Sequence, residues 1–180
     1  MQELDLERRC NRLIGLKIEN VRYYGQFQNF EYAHGVSEAV YLYSDQKESF
    51  RFGYEDEFLL KWVFGISVRN TVRTFLKDEE QETHDVTYLW KEKYNQEDLR
   101  IVRVKLHWRY IADSHFVLWH SYSRSDYPQD IELVLSNGKS IFIGVTKILN
   151  NGRCKLFTNH LSVFWGFQER ESTYARIERS

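Results

Sequence analysis

The segment IVRVKLHWRY, residues 101–110, constrains the fold of this chain more than any other stretch. From Val102 onward its apolar side chains share one parity, and its polar side chains share the other: Val102, Val104, Leu106, Trp108 and Tyr110 against Arg103, Lys105, His107 and Arg109. Because successive side chains of a β-strand point to opposite faces, this alternation predicts a strand with one apolar and one basic face. Such a strand needs neighbouring strands beside it and a core beneath its apolar face.

The segment DIELVLSNGKSIFIG supplies a predicted hairpin over residues 130–145. Asn137-Gly138 is the favoured pair for a two-residue type I′ turn, in which both residues have positive φ. With that turn, Leu133 faces Phe142. Both faces of this hairpin carry apolar side chains, so we expect it to lie inside the structure.

A second hairpin is predicted over residues 86–111. Val86, Tyr88 and Trp90 alternate with polar residues, which favours a strand over residues 86–94. NQED, residues 95–98, has the composition of a turn leading into the strand at residues 99–111.

The remaining signals agree with a β-rich chain. Aromatic residues make up 16% of the sequence, and large flat side chains suit a pleated, half-buried surface. Residues 2–14 are the exception, because Leu6, Cys10 and Leu13 fall on one face of a helix. We therefore predict a mainly β, antiparallel single domain spanning residues 1–180, with a short N-terminal helix and a minor α content.

The hairpin has an earlier counterpart in AVYLYSDQKESFRFG, residues 39–53, and the two segments overlay without a gap. The overlay aligns three identical pairs: Leu42 with Leu133, Ser49 with Ser140, and Gly53 with Gly144. Before the hairpins, NVRYYG loosely matches LHWRYI. One interpretation is an internal duplication, with units at residues 16–76 and 102–178. The other is that any two amphipathic hairpins resemble each other.

Charge and composition argue against several classes of protein. The net charge is −1, whereas a nucleic-acid-binding domain usually carries a basic excess that neutralises phosphates. No window approaches the roughly 20 apolar residues of a membrane span, and MQELDLERRCNRLIG lacks the apolar segment of a signal peptide. Two cysteines, Cys10 and Cys154, are too few for a disulfide framework. We expect a cytoplasmic protein.

Motifs that carry chemistry are missing from the sequence. It contains no G-x-G-x-x-G, no Walker sequence and no G-x-S-x-G nucleophile elbow. The six histidines do not show the spacing of metal ligands on one strand face. No catalytic residue, metal site or cofactor is predicted, and a non-enzymatic protein is favoured over an enzyme.

The basic row of the alternating strand is the predicted contact surface for a partner, with an aromatic residue beside it: Arg103, Lys105, His107, Arg109 and Trp90. Arginine and aromatic residues often dominate interface energies. The alternative is that Asp130 and Glu132, which share one parity of the hairpin, neutralise this row across strands.

The sequence therefore favours a binding protein that acts on another macromolecule, as small immunity and adaptor proteins do. The predicted partner is another protein, with acidic character, and not nucleic acid or a membrane. Two alternatives stay open: a β-structure that encloses a small ligand, and an enzyme whose site is assembled across strands.

Overall fold

The computed structural model describes residues 3–56, 64–71, 82–95, 98–108, 110–112, 122–124, 128–156 and 158–176. Over these residues the chain is mostly antiparallel β-sheet with three short helices, one of them at the N-terminus. The predicted fold class is confirmed.

The helices are α1 (Glu3–Asn11), α2 (Thr87–Tyr94) and α3 (Phe167–Tyr174). The strands are β1 (Lys17–Tyr24), β2 (Phe27–Phe30), β3 (Ala33–Val36), β4 (Ala39–Ser44), β5 (Ser49–Asp56), β6 (Phe64–Thr71), β7 (Thr83–Asp85), β8 (Leu99–His107), β9 (Tyr110–Ala112), β10 (Tyr122–Arg124), β11 (Asp130–Leu135), β12 (Ser140–Gly144), β13 (Thr146–Ile148), β14 (Cys154–Leu156) and β15 (Leu161–Phe164).

One large sheet has the strand order β2-β3-β15-β12-β11-β8-β1-β4-β5-β6, with β7 paired to β1 beside this path. The first half of the chain contributes β1-β4-β5-β6, and the second half contributes β8-β11-β12-β15 in the matching order. The two sets meet where β1 pairs with β8, at Lys17 opposite Arg100 and Ile18 opposite Leu99. A helix precedes each set, α1 before β1 and α2 before β8.

The two halves also share local irregularities. The register of β1 against β4 shifts between Ile18 and Asn20, and the register of β8 against β11 shifts between Ile101 and Arg103. Each shift leaves one extra residue on the longer strand, as in a β-bulge. The following hairpins close in the same way: the N–H of Ser44 donates to the carbonyl of Glu48 at 2.9 Å, and that of Leu135 donates to Lys139 at 2.8 Å.

The predicted hairpin at residues 130–145 is present as β11 and β12, but its predicted register is wrong by one residue. Leu133 faces Ile141, not Phe142. The loop comprises three residues, 136–138. A two-residue type I′ turn would need positive φ at both Asn137 and Gly138, but in this loop only Gly138 has positive φ, 80°. The side-chain oxygen of Asn137 accepts a hydrogen bond from the N–H of Lys139 at 2.9 Å. This geometry is that of a type I turn followed by a left-handed glycine. In the earlier hairpin, Lys47 takes the position of Gly138 with φ 61°.

The predicted strand at residues 86–94, and with it the hairpin at 86–111, is wrong, since Thr87–Tyr94 forms helix α2. Its buried side chains follow helical spacing, with Val86, Trp90 and Tyr94 inside and Tyr88 63% exposed. The alternation that predicted a strand was therefore the start of a helical face. The other arm, β8, is a strand as expected.

The main hydrophobic cluster combines side chains from strands of both halves with side chains of α1 and α2. Leu6 and Cys10 of α1 and Trp90 and Tyr94 of α2 belong to it. A second cluster lies on the outer face of the second half, beneath α3 and the β13–β14 hairpin, and contains Phe142. The exposed polar face of β8 runs beside this second cluster.

Candidate binding surface on strand β8

Three of the predicted contact residues lie together on β8. Arg103, Lys105 and His107 lie opposite Val134, Glu132 and Asp130 of β11, respectively. Val104 and Leu106, of the other parity, pack against the main core. The alternation therefore gives one half-buried face at Val104 and Leu106 and one outward face at Arg103 and Lys105, while Val102, of the apolar parity, is 48% exposed. Arg109 lies outside the described residues.

Glu132 anchors the middle of this row. Its carboxylate accepts hydrogen bonds from the ammonium of Lys105 at 3.1 Å and from the hydroxyl of Ser140 at 2.7 Å. The Nε2 atom of His107 lies 2.7 Å from the other carboxylate oxygen and donates to it, since a carboxylate only accepts. The predicted alternative, neutralisation across strands, thus applies to Lys105 and His107.

The charges at this anchor are layered. The side chain of Glu132 is 7% exposed, whereas that of Lys105 is 45% exposed. Burial raises the pKa of Glu132, but the hydrogen bonds from Ser140, His107 and Lys105 outweigh it and leave this pKa below the ordinary value. The negative charge is therefore held beneath the surface, and the half-exposed ammonium of Lys105 lies outside it.

Asp130, the second predicted counter-charge, binds elsewhere. It is fully buried and accepts hydrogen bonds from the guanidinium of Arg170, including one from Nε at 2.9 Å, and from the hydroxyl of Tyr174. This pair fastens α3 to the sheet. Asp130 is thus paired mainly with Arg170 of α3, and His107 of the basic row makes a smaller electrostatic contribution.

An aromatic group that the sequence did not single out borders the row. The ring of His107 lies 5.5 Å from that of Phe142, which lies 6.4 Å from Phe167. Phe167 is 59% exposed, at the start of α3. No sequence signal connects Phe167 with β8, because α3 and β11–β12 bring them together only in space. We define the β8 surface as Arg103, Lys105, His107 and Phe167; Phe142, which is 1% exposed, is the buried ring that connects His107 with Phe167.

Trp90 does not belong to the β8 surface, and its predicted role in partner contact is incompatible with its burial. The Trp90 side chain is 0% exposed, and its indole N–H donates to the hydroxyl of Tyr23 at 2.8 Å. That hydroxyl shares a hydrogen bond of 2.8 Å with Nδ1 of His34, whose direction depends on the tautomer of the imidazole. Burial, with a smaller effect of Lys93, lowers the pKa of His34 to about 4. This network is a polar element of the core.

A cleft of about 170 Å³ lies where the β2–β3 hairpin meets the second half. Its apolar lining includes Val36, Ile148 and Leu161, and its polar lining includes Gln26, Ser37, Lys147 and His160. Ligand pockets for drug-sized molecules usually measure about 300–1,000 Å³, so this cleft is small for the predicted ligand-enclosing alternative.

Metal and thiol chemistry find little support in the described part of the chain. Within it, no group of three or more histidine, cysteine, aspartate or glutamate side chains is placed to hold a metal ion. Cys10 and Cys154 are buried thiols in different clusters, so they do not form a disulfide. Burial raises the pKa of Cys10 to about 12, which disfavours the reactive thiolate.

Comparisons of this chain with protein-family models, with curated proteins and with solved structures find no match. Among the described helices, none has the length and apolar character required to cross a membrane. Any assignment of function therefore depends on the geometry of the β8 surface.

Proposed function

We propose that this chain is a binding protein that docks an acidic region of another protein on the β8 surface. The observation that carries the proposal is the layering of charge beside an exposed ring. Glu132 lies beneath Lys105, so the cation is outermost, and the exposed ring of Phe167 lies at the end of the row. Cationic and aromatic groups of this kind provide electrostatic steering and apolar contact in protein interfaces.

Arg103 adds a positive charge to this surface. It is exposed, and no ion pair joins it to any residue that the structure describes. Its direct neighbour on β11 is Val134, which carries no charge. Arg103 is therefore the group whose charge is most available to a partner carboxylate, and its planar guanidinium suits a two-point hydrogen bond.

Two observations favour binding over catalysis or ligand storage. Ser140 donates to Glu132 and not to His107, so the three groups do not form a nucleophile–base pair. The cleft near Lys147 is small for a drug-sized ligand and lies outside the β8 surface, so this cleft does not support ligand storage.

The proposal includes the scaffold and the compartment. We infer that the two halves derive from one duplicated helix-plus-sheet unit, supported by the matched strand order, by the bulges before Asn20 and Arg103, and by the matched hairpin loops. A cytoplasmic location fits two buried cysteines, Cys10 and Cys154, that do not pair.

Replacing Phe167 by the photo-crosslinking residue benzoylphenylalanine tests the surface. The partner that cross-links to this residue on irradiation is identified and purified. The rate at which this partner associates with the unmodified chain is then measured as a function of salt concentration. Arg103→Glu should slow association about three- to tenfold at low salt, and the difference should shrink as salt screens the charges. Lys105→Glu is avoided because it would place a carboxylate beside Glu132 and disturb the fold.

Arg153→Glu provides the matched control, because Arg153 is also exposed and also stands two residues before a lysine. It should leave the rate almost unchanged. Equal slowing by Arg153→Glu and Arg103→Glu would indicate a general charge effect and refute the assignment of the β8 surface. So would a recovered partner that binds Arg103→Glu as fast as the unmodified chain at low salt.

A further inference from the structure

Among the residues that the structure describes, the backbone edge of β8 beside the β8 surface has no partner strand. β8 pairs with β11 on one side, and on the other side it pairs with β1 only near its start, at Leu99 and Arg100. From Arg103 to His107, no strand among the described residues lies along the edge that faces away from β11. Val102, at the start of this edge, is 48% exposed. Half of the backbone N–H and C=O groups of such a strand point outward and can accept an additional strand.

The first half of the chain closes the corresponding edge. There, β7 pairs antiparallel with β1, with Asp85 opposite Arg22 and Thr83 opposite Tyr24. Arg22 corresponds to Lys105, because their partners Tyr41 and Glu132 occupy the same position in the two matching hairpins. The chain thus contains an example of what fits against this kind of edge: a short extended segment with an acidic residue opposite the cation.

Charge indicates which occupant the open edge prefers. A cross-strand neighbour shares a sheet face with the residue opposite it, so an added strand would place its side chains beside Arg103 and Lys105. Carboxylates at those positions would be favourable. A second copy of this chain that paired β8 with β8 would bring these cations close together, and like charges directly opposite are destabilising.

We propose that β8 binds the partner by strand addition, in which an extended acidic segment pairs antiparallel with Arg103–His107. The inference rests on the proposed function and adds the mode of recognition. Main-chain hydrogen bonds to the open edge supply affinity, while Arg103 and Lys105 select acidic side chains and fix the register. The role of β7 in the first half is then taken in the second half by a segment of the partner.

The test uses the ¹⁵N-labelled chain and a synthetic peptide with the sequence ETHDVT, acetylated and amidated, which copies residues 82–87. Amide hydrogen exchange is followed by NMR with the peptide at millimolar concentration, which detects weak binding. Alternate amides between Arg103 and His107 should be protected about tenfold when the free peptide is at ten times its Kd, because protection grows as 1 + [L]/Kd. A peptide with lysine in place of the aspartate should protect several-fold less, and Arg103→Glu should weaken the protection by the original peptide.

Other outcomes overturn the inference in distinguishable ways. Peptide-induced chemical-shift changes at Arg103 and Lys105 without protection of their amides from exchange would mean that the side chains bind acidic segments but the backbone edge does not. This result would refute strand addition and leave the proposed function in place. No shift on β8 at millimolar peptide would refute strand addition by this class of segment. The proposed function would then be judged by the separate rate assay on Arg103→Glu. Protection that rises with protein concentration in the absence of peptide would assign the edge to a second copy of the chain.

Discussion

Acidification should destabilise the fold through His34, at a pH well above that at which carboxylates are protonated. His34 is 2% exposed, and its pKa is lowered from 6.5 to about 4. Between these values the unfolded chain binds a proton that the folded chain does not, so stability is lost as the pH falls from about 6.5. The loss attributable to His34 should reach about 2 kcal/mol at pH 5 and about 3 kcal/mol at pH 4.

Thermal unfolding monitored by circular dichroism from pH 8 to pH 4 measures this loss. For a chain of this size, about 2 kcal/mol corresponds to a fall in Tm of about 4–8 °C at pH 5. The comparison that isolates His34 uses His34→Gln, because all other titrating groups are common to both proteins. The variant should be less stable at pH 8, since it loses ring contacts such as the one with Trp165 at 4.6 Å, but its stability should depend less on pH.

Tyr23→Phe is the control that tests whether the pH dependence comes from the buried imidazole of His34 itself. It removes the hydroxyl that is hydrogen-bonded to His34 but leaves the imidazole buried, so it should lower stability while retaining the pH dependence. If the unmodified chain and His34→Gln lose stability equally between pH 8 and pH 5, His34 is not held neutral by the fold, and the reasoning is wrong.

Three further predictions concern other sites. Glu132→Gln should lower the free energy of unfolding by about 1–2 kcal/mol at pH 7, as measured by urea denaturation, mainly through lost hydrogen bonds, because solvent screens the ion pair with half-exposed Lys105. The difference in stability between the two proteins should decrease below about pH 4.5, as the pH approaches the lowered pKa of Glu132. An unchanged denaturation midpoint at pH 7 would contradict the anchoring role of Glu132. Lys47→Gly should raise the free energy of unfolding by about 0.5–1 kcal/mol, and Gly138→Ala should lower it by about as much, since both positions have positive φ. A loss of stability in Lys47→Gly, or a gain in Gly138→Ala, in the same denaturation assay would show that the loops are not equivalent. Cys10 should resist a thiol reagent in the native protein and react after denaturation, and rapid native labelling would show that its pKa is not raised by burial.

The sequence predicted the elements whose pattern is local. Alternation identified β8 and its two faces, and Asn137-Gly138 located the hairpin at residues 130–144. The predicted register was wrong because Asn137-Gly138 can form either a two-residue turn or part of a three-residue loop. The φ angle of Asn137 distinguishes these two geometries. The prediction for the segment of α2 was wrong because three alternating apolar residues are compatible both with a strand and with the first turns of a helix.

The candidate site was predicted only in part. The row at Arg103, Lys105 and His107 follows from parity, and so does the counter-charge at Glu132. Phe167 and the open edge depend on contacts between distant segments, which no single-sequence pattern encodes. The sequence overlay of the two halves was correct only for the hairpins. In the structure, Val21 is equivalent to Val104, because their cross-strand partners Leu42 and Leu133 are equivalent in the hairpins. The match of NVRYYG with LHWRYI had instead aligned Val21 with His107.

The crossing of the β2–β3 hairpin onto β15 constrains the order in which this chain can fold. β3 comes from the first half, yet His34 pairs with Val163 near the other end of the sequence. The second half completes its own four strands only after most of the chain has been synthesised, and until then β3 has no β15 to join. Closing so long a loop costs conformational entropy before any contact offsets it, and such non-local pairings fold on a timescale of about milliseconds to seconds. During that interval, β3 and the hairpin that carries it are an exposed edge, available to mispair with another nascent chain.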